Sequence, residues 1–270
     1  KKIKMKIFLI LYTKEPLKSI AAGILNIGIG KDIRSINEIT KEEAEKAFKD
    51  TCQSWLTSPL EYASFNFFWE DIPLFMRTEL ERARVGWSYC ERSLRFYQAG
   101  ERNPVENIDW DMFPSLKTNE QKEEFKRMAQ EDMENYERLK SMGAETQEAR
   151  NAIGVWFGTA LQTSCNFRAL RDTMAVRLSS QAHPAWQKVA KQIKELVASI
   201  DPILAEELKD TCQLQKRCVW HSKLDRPCQN CQDQGKSERN HAHKFDLETK
   251  NSGLQCSCGV LLTEARALRK

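Results

Sequence analysis

Two groups of residues in this sequence are suited by type and spacing to chemistry. The first is a run of arginines, RTELERARVGWSYCERSLR, in which Arg77, Arg82, Arg84, Arg92 and Arg95 are interleaved with Ser88, Glu91 and Ser93. Guanidinium groups grip phosphate through paired N–H donors, and hydroxyls add neutral ones. Such a cluster suits a nucleotide or a phosphate-bearing cofactor. The plain alternative is a solvated helix end followed by a polar loop, since arginines mostly sit on surfaces. The second group lies near the C-terminus, where Cys218-x2-His221 precedes Cys228-x2-Cys231, and His241-x-His243 precedes Cys256-x-Cys258. Two-residue spacing lets one turn bring both side chains onto a single cation. The eight residues divide into two tetrahedral sets of four, or Cys228/Cys231 join Cys256/Cys258 in one ribbon-like site. Sets closed at four ligands suit structural zinc better than catalytic zinc. Structural zinc supplies roughly 10–16 kcal/mol of apparent binding energy in small modules, and this segment has few large apolar residues to fold with otherwise. A structureless basic tail with reduced thiols is the competing reading.

Composition sets the context. The 270 residues are 41% hydrophobic and 30% charged, the balance of a soluble globular protein. No apolar run reaches the ~18 residues of a spanning helix, so no membrane partner is expected. The opening KKIKMKIFLILY is basic then apolar but lacks a small-residue cleavage site, which argues against a signal peptide. Six of the nine cysteines and three of the four histidines fall in the last 59 residues. A secreted disulfide protein would spread its cysteines through the fold, so the clustering points to a cytoplasmic chain with a metal-binding tail. From Lys209 onward there are 12 basic against 7 acidic residues, a net of +5, whereas residues 1–208 hold 30 against 31. The body therefore has no general attraction for nucleic acid, and only the tail is basic enough to recruit nucleic acid or an acidic protein.

The elements that must position these groups can be read from periodicity. Met5 to Tyr12 reads as a strand apolar on both faces, hence central in a sheet. Pro16 opens a short helix to about Leu25. Thr40 and Glu43 form a capping box ahead of a stripe of Ala44, Ala47, Phe48, Cys52 and Trp55. Ala63 to Trp69 alternates as a second strand, and Pro73 starts a helix to about Arg84. Residues 98–117 read as loop. Thr118 caps a long helix with Phe125, Met128, Met133, Leu139 and Met142 inward, ended by Gly143, and another helix starts near Thr146. Helices follow from Asn166 to Leu178 and from Pro184 to Ile200, with Asp201-Pro202 as an interruption. His183 reads as a cap or loop residue; Cys52 and Cys165 read as packing residues. The order implies an α+β fold in which helix exceeds sheet.

The arginine stretch resembles the signature of the flavin-dependent thymidylate synthases, which reads Arg-His-Arg, a spacer, then Ser-x-Asn-Glu-x-Ser-x-Arg-Tyr. Arg82-Ala83-Arg84 and Ser88 through Phe96 stand at those places. Thr57-Ser58-Pro59-Leu60-Glu61-Tyr62 resembles an upstream segment of the family. Ala149-Arg150, Asn166-x-Arg168-Ala169-Leu170 and Arg177 resemble downstream ones, all in register over residues 5–208. The resemblance implies a synthase-like domain over 1–208 with a mixed sheet, followed by the Cys/His-rich, zinc-binding tail over 209–270.

By that resemblance the chain is a homotetramer that binds FAD between subunits. It methylates dUMP at C5 with methylenetetrahydrofolate as carbon donor and NADPH as reductant. Arg82, Glu91, Ser93, Arg95 and Arg150 would bind dUMP, and Arg177 would lie against the uracil as the catalytic, charge-stabilising group. Ser58, Glu61, Arg82, Arg84, Asn166 and Arg168 would meet FAD, and Glu91 would bridge the two sites. Several positions depart from the pattern: Ala83 for histidine, Cys90 for asparagine, Phe96 for tyrosine, Leu56 for histidine, Glu79 for glutamine, Asp172 for asparagine and Gly154 for proline. Val85-Gly86-Trp87 is one residue longer than the usual spacer. The departures leave two alternatives open. One is a related carbon transfer to a pyrimidine nucleotide, such as hydroxymethylation. The other is a non-catalytic nucleotide- or nucleic-acid-binding module.

Overall fold

The computed structural model describes residues 4–27, 32–54, 56–94 and 104–215. Strand β1 (Lys6–Tyr12) leads into helices α1 (Pro16–Leu25) and α2 (Lys41–Gln53). The capping box before α2 forms: Glu43 N–H donates to Thr40 Oγ1 at 3.2 Å, and Thr40 N–H donates to the Glu43 carboxylate at 3.0 Å. Ala44, Ala47 and Phe48 are buried along that stripe, while Trp55 lies outside the described residues.

The chain continues with β2 (Ser64–Pro73), α3 (Leu74–Leu80), β3 (Trp87–Glu91), α4 (Asn119–Ser141), α5 (Thr146–Ala149) and β4 (Gly158–Asn166). Helices α6 (Phe167–Arg177), α7 (Pro184–Ala198), α8 (Pro202–Glu206) and α9 (Thr211–Gln215) follow. The α+β reading holds, with one correction. The sheet is not mixed: its order is β1-β2-β4-β3 and every neighbouring pair is antiparallel.

A second correction concerns β1, which is an edge strand and not a central one. Apolar residues on both faces suggest cover on both sides, but the main buried cluster lies against one face of the sheet. Ile7 and Leu9 pack against that core, whereas Phe8, Ile10 and Tyr12 are 43–50% exposed. The core face carries Phe65, Phe67 and Trp69 of β2, Leu161 and Cys165 of β4, and Trp186, Val189, Ile193 and Val197 of α7. Trp69 keeps its one polar atom satisfied there, donating to Thr163 Oγ1 at 2.9 Å, as a buried donor requires. Burial pushes the Cys52 thiol up to about 12 and the Cys165 thiol well above its usual value, so both are packing residues. His183 caps α7, its Nδ1 accepting from the Ala185 N–H at 3.3 Å.

Thr118 caps α4 and Gly143 ends it at φ +89°, a conformation glycine adopts without a Cβ penalty. The inward stripe of α4 differs from the sequence expectation. Ala129, Met133 and Tyr136 are buried, while Met128, Leu139 and Met142 are exposed. A helix lying on a small satellite cluster buries only a narrow face. That cluster joins α4 to Ala149, Phe157 and Val105, with Leu94, Ala152 and Ile153 at its edge. The helix expected near Thr146 lasts only four residues before a 3-10 turn over Arg150–Ala152. Past residue 208 the fold continues into α9, tied to α6 by the Thr211 hydroxyl donating to Ala175 O at 2.9 Å.

Candidate functional site

The turn after α3, the start of β3 and helix α6 build the site. Helix α3 stops at Leu80, four residues short of the expected end, because the chain turns there: Ala83 N–H donates to Leu80 O at 2.9 Å. Tyr89 of β3 secures the turn, its hydroxyl lying 2.8 Å from Leu80 O and 2.6 Å from Ala83 O. Arg82 and Arg84 therefore project from a braced turn and not from a helix. Trp87, stacked on Tyr89 at 5.9 Å, donates to Thr173 Oγ1 at 3.0 Å and so ties β3 to α6. Burial drives the Tyr89 hydroxyl above its ordinary range, which keeps it protonated as the donor this brace needs.

Between them, the lengthened spacer folds tightly against the start of α6. Gly86 sits at φ +72°, and a Cβ there would fall 2.7 Å from Asn166 Nδ2 and 2.8 Å from Ala169 Cβ. Asn166 caps α6 with its side-chain oxygen, 2.8 Å from the Ala169 N–H, and donates its own N–H to Gly86 O at 3.1 Å. Gly86→Ala should thus lower stability by roughly 1–3 kcal/mol, the usual cost of a strained backbone position. Chemical denaturation reads this directly, and a variant as stable as the parent would refute the tight packing.

These elements enclose an open cleft of about 720 Å³. Glu61, Arg82, Arg84, Asn166, Arg168 and Arg177, all singled out from the sequence, line it together. Glu79, Trp87, Asp172 and Val176 also line it. Glu79 and Asp172 are two of the departures from the family pattern, whereas Trp87 and Val176 look like core in the sequence and carry no site signal. Arg168 pairs with Glu61 at 2.8 Å, both side chains nearly half exposed, an arrangement worth little to stability and open to exchange with a ligand. Asp172 is pushed upward by burial, opposed by Arg168 and Arg171.

Arg177, on the last turn of α6, is the most enclosed of the four arginines in the cleft: it is half-buried, whereas Arg82, Arg84 and Arg168 are exposed. Its Nη1 lies 2.6 Å from Glu79 Oε2 and its Nη2 donates to Glu79 O at 2.6 Å. The guanidinium lies 4.7 Å above the ring of Trp186, a favourable cation–π placement. Burial lowers its affinity for the proton, and the Glu79 carboxylate opposes that. It remains a cation, desolvated enough for its field to act strongly at short range.

Other sequence candidates lie elsewhere on the chain. Ser58 starts the 3-10 turn Ser58–Tyr62 and does not line the cleft. Glu91, at the end of β3, pairs with Arg77 of α3. Ser93 and Arg150 flank Leu94 and Ala149, which pack in the satellite cluster under α4. Arg95 and all eight tail candidates, Cys218, His221, Cys228, Cys231, His241, His243, Cys256 and Cys258, fall outside the described residues. Among the described residues no group of three or more His, Cys, Asp or Glu side chains is placed to hold a metal ion, and no helix is long and apolar enough to cross a membrane.

Comparison with known proteins adds to this geometry. The family model described as thymidylate synthase complementing protein matches residues 8–203. The flavin-dependent thymidylate synthase of Sulfurisphaera tokodaii is 26% identical over 217 residues, spanning 80% of this chain and 82% of that protein. The enzyme of the same name from Pyrococcus furiosus is 25% identical over 218 residues, spanning 80% and 87%. Among solved structures, the UMP/dUMP methylase PolB from Streptomyces cacaoi, bound with 5-Br dUMP, superposes with a TM-score of 0.61. It covers 76% of this chain and 94% of that one at 20% identity, a likeness of fold.

Proposed function

The chain belongs to the thymidylate synthase complementing protein family, and from that membership we propose that it is an enzyme that methylates C5 of dUMP with a bound flavin. The observation that carries this reading is the grouping of Arg82, Arg84, Arg168 and Arg177 in one cleft. Forked guanidinium donors of this kind match phosphate and pyrophosphate oxygens. The apolar side chains of Ala83, Val85 and Val176 on the same walls offer a surface for a flat ring. Cationic donors beside an apolar wall fit FAD, with Arg82, Arg84, Asn166 and Arg168 as the groups that would hold it. FAD supplies hydride and one-carbon relay chemistry when bound. Methylenetetrahydrofolate is the proposed carbon donor and NADPH the proposed reductant.

The chain's own contribution is placement and charge. Arg177 is fixed by Glu79 and Trp186, and it would meet the uracil ring where negative charge gathers at N3 and O4 during attack from C5. A preorganised donor of this type acts without reorganising as the charge forms. Ser93 and Arg150, with Arg95, would take the nucleotide phosphate. Ser93 and Arg150 adjoin residues of the satellite cluster and do not line the cleft, which favours a homotetramer whose complete site draws on more than one subunit. Light scattering giving a monomer under assay conditions would remove that element.

Labelled dUMP incubated with the purified protein, methylenetetrahydrofolate and NADPH should yield a product heavier by one methyl substitution, and none without the folate. Ala83 and Glu79, in places where the family carries a ring and a glutamine, favour one other outcome: a product heavier by a hydroxymethyl group would replace methylation with hydroxymethylation. No product of either mass, from protein that is colourless and unmoved in melting by dUMP, would reject the enzymatic reading. For the tail, we propose structural zinc at Cys218/His221/Cys228/Cys231 and at His241/His243/Cys256/Cys258. Two equivalents of zinc per chain by elemental analysis would support both sites, one would leave a single site, and none would reject them.

A further inference from the structure

Glu79 holds Arg177 in the cleft wall through its backbone as well as its charge. One residue engages both terminal nitrogens of Arg177, through Oε2 and through its backbone carbonyl, each at 2.6 Å. The guanidinium is thereby held over the fully buried ring of Trp186, 4.7 Å from its centroid. Of the pair, the carboxylate is the more exposed side chain, at 33% against 15% for the guanidinium, and both residues line the cleft. A carboxylate accepts at about four lone-pair sites and a guanidinium donates from five N–H groups, so their mutual contact exhausts neither. The cleft wall thus presents a fixed acceptor beside a fixed donor.

We propose that Glu79 and Arg177 together read the edge of the pyrimidine base, Glu79 accepting from the ring N3–H while Arg177 donates to the neighbouring carbonyl. This rests on the reading of the cleft as a pyrimidine-nucleotide site. Uracil presents that complementary order, a carbonyl oxygen next to an N–H. The carboxylate is repelled by phosphate but suited to an N–H, so the departure at residue 79 becomes a specificity-determining contact. An acceptor drawing on N3–H and a donor at the carbonyl also polarise the ring toward the electron-rich state from which C5 attacks.

Calorimetric binding to the full-length protein tests this with two ligands, dUMP and its N3-methyl analogue, which lacks the N–H. The parent protein should bind the analogue about 10- to 100-fold more weakly, the worth of a hydrogen bond to a charged group. Glu79→Ala should shrink that ratio to near unity, and Glu79→Gln, which keeps a carbonyl acceptor, should restore most of it. Equal loss of affinity for both ligands in Glu79→Ala, with the ratio unchanged, would show that Glu79 only braces Arg177 and would overturn the proposal. Equal binding of the two ligands by the parent protein would overturn it without any variant. If the parent protein bound neither ligand, the nucleotide reading of the cleft would fall with it.

Discussion

Arg177→Ala should lower the rate of nucleotide methylation by about 100- to 1000-fold, the loss typical of removing one preorganised charge-stabilising donor. The argument rests on where this guanidinium is held. It is largely enclosed, so water screens it little, and its orientation is set on one side by Glu79 and on the other by the Trp186 ring. A donor prepared in this way need not reorganise when the uracil ring gains charge. Alanine removes the cation and leaves Glu79 one-third exposed, able to hydrate, so the fold should survive. Arg177→Lys should recover little of the rate. An ammonium is a single point charge without the planar fork that meets the Glu79 carboxylate and carbonyl together. Initial rates of product formation, followed by mass, with circular dichroism as the control for folding, decide the matter. Turnover by Arg177→Ala close to the parent rate would remove Arg177 from the chemistry.

The site was legible in the sequence where side-chain type carries the signal. Arg82 and Arg84 stand out in the arginine run, Arg168 and Arg177 are marked by the family resemblance, and the structure gathers all four in one cleft. Asn166 reads as a site residue and also proves to be a helix cap. Where backbone geometry decides, the sequence was less informative. Strand β3 has Trp87 and Tyr89 facing inward and Ser88 and Cys90 outward, but five residues amid arginines give too short an alternation to detect. Strand β4 runs Gly158 to Asn166 with Thr159 and Thr163 buried, so hydroxyls at core positions blur its period. Thr163 is there because it accepts from Trp69, a contact ninety-four residues apart in sequence that no local pattern reveals. Strand β1 misled for the opposite reason. Its two apolar faces imply two layers of cover, yet helices cover one side and Phe8, Ile10 and Tyr12 remain partly exposed at the edge.

Trp186→Ala should be the most destabilising single substitution in the site's support, costing about 3–5 kcal/mol as a large buried aromatic cut to a methyl. Trp186 is fully buried and touches two systems at once. Its ring meets Trp69 edge-on at 6.3 Å, within the sheet core, and its face carries the Arg177 guanidinium at 4.7 Å. Truncation would open a cavity beneath Arg177 and remove the surface it rests on, so stability and ligand binding should fall together. Trp186→Phe separates the two effects. The Nε1–H of Trp186 is buried without a hydrogen-bond partner, so phenylalanine also removes an unsatisfied donor, which offsets part of the lost packing. An aromatic face remains, though a weaker one for a cation than indole. The phenylalanine variant should therefore lose clearly less stability than alanine and keep dUMP binding within about 10-fold of the parent. Denaturation curves and calorimetry on both variants provide the comparison. Equal destabilisation by the two would mean that the ring's size, and not its face toward Arg177, is what the fold requires. Undiminished dUMP binding by the alanine variant would show that Arg177 holds its place through Glu79 alone.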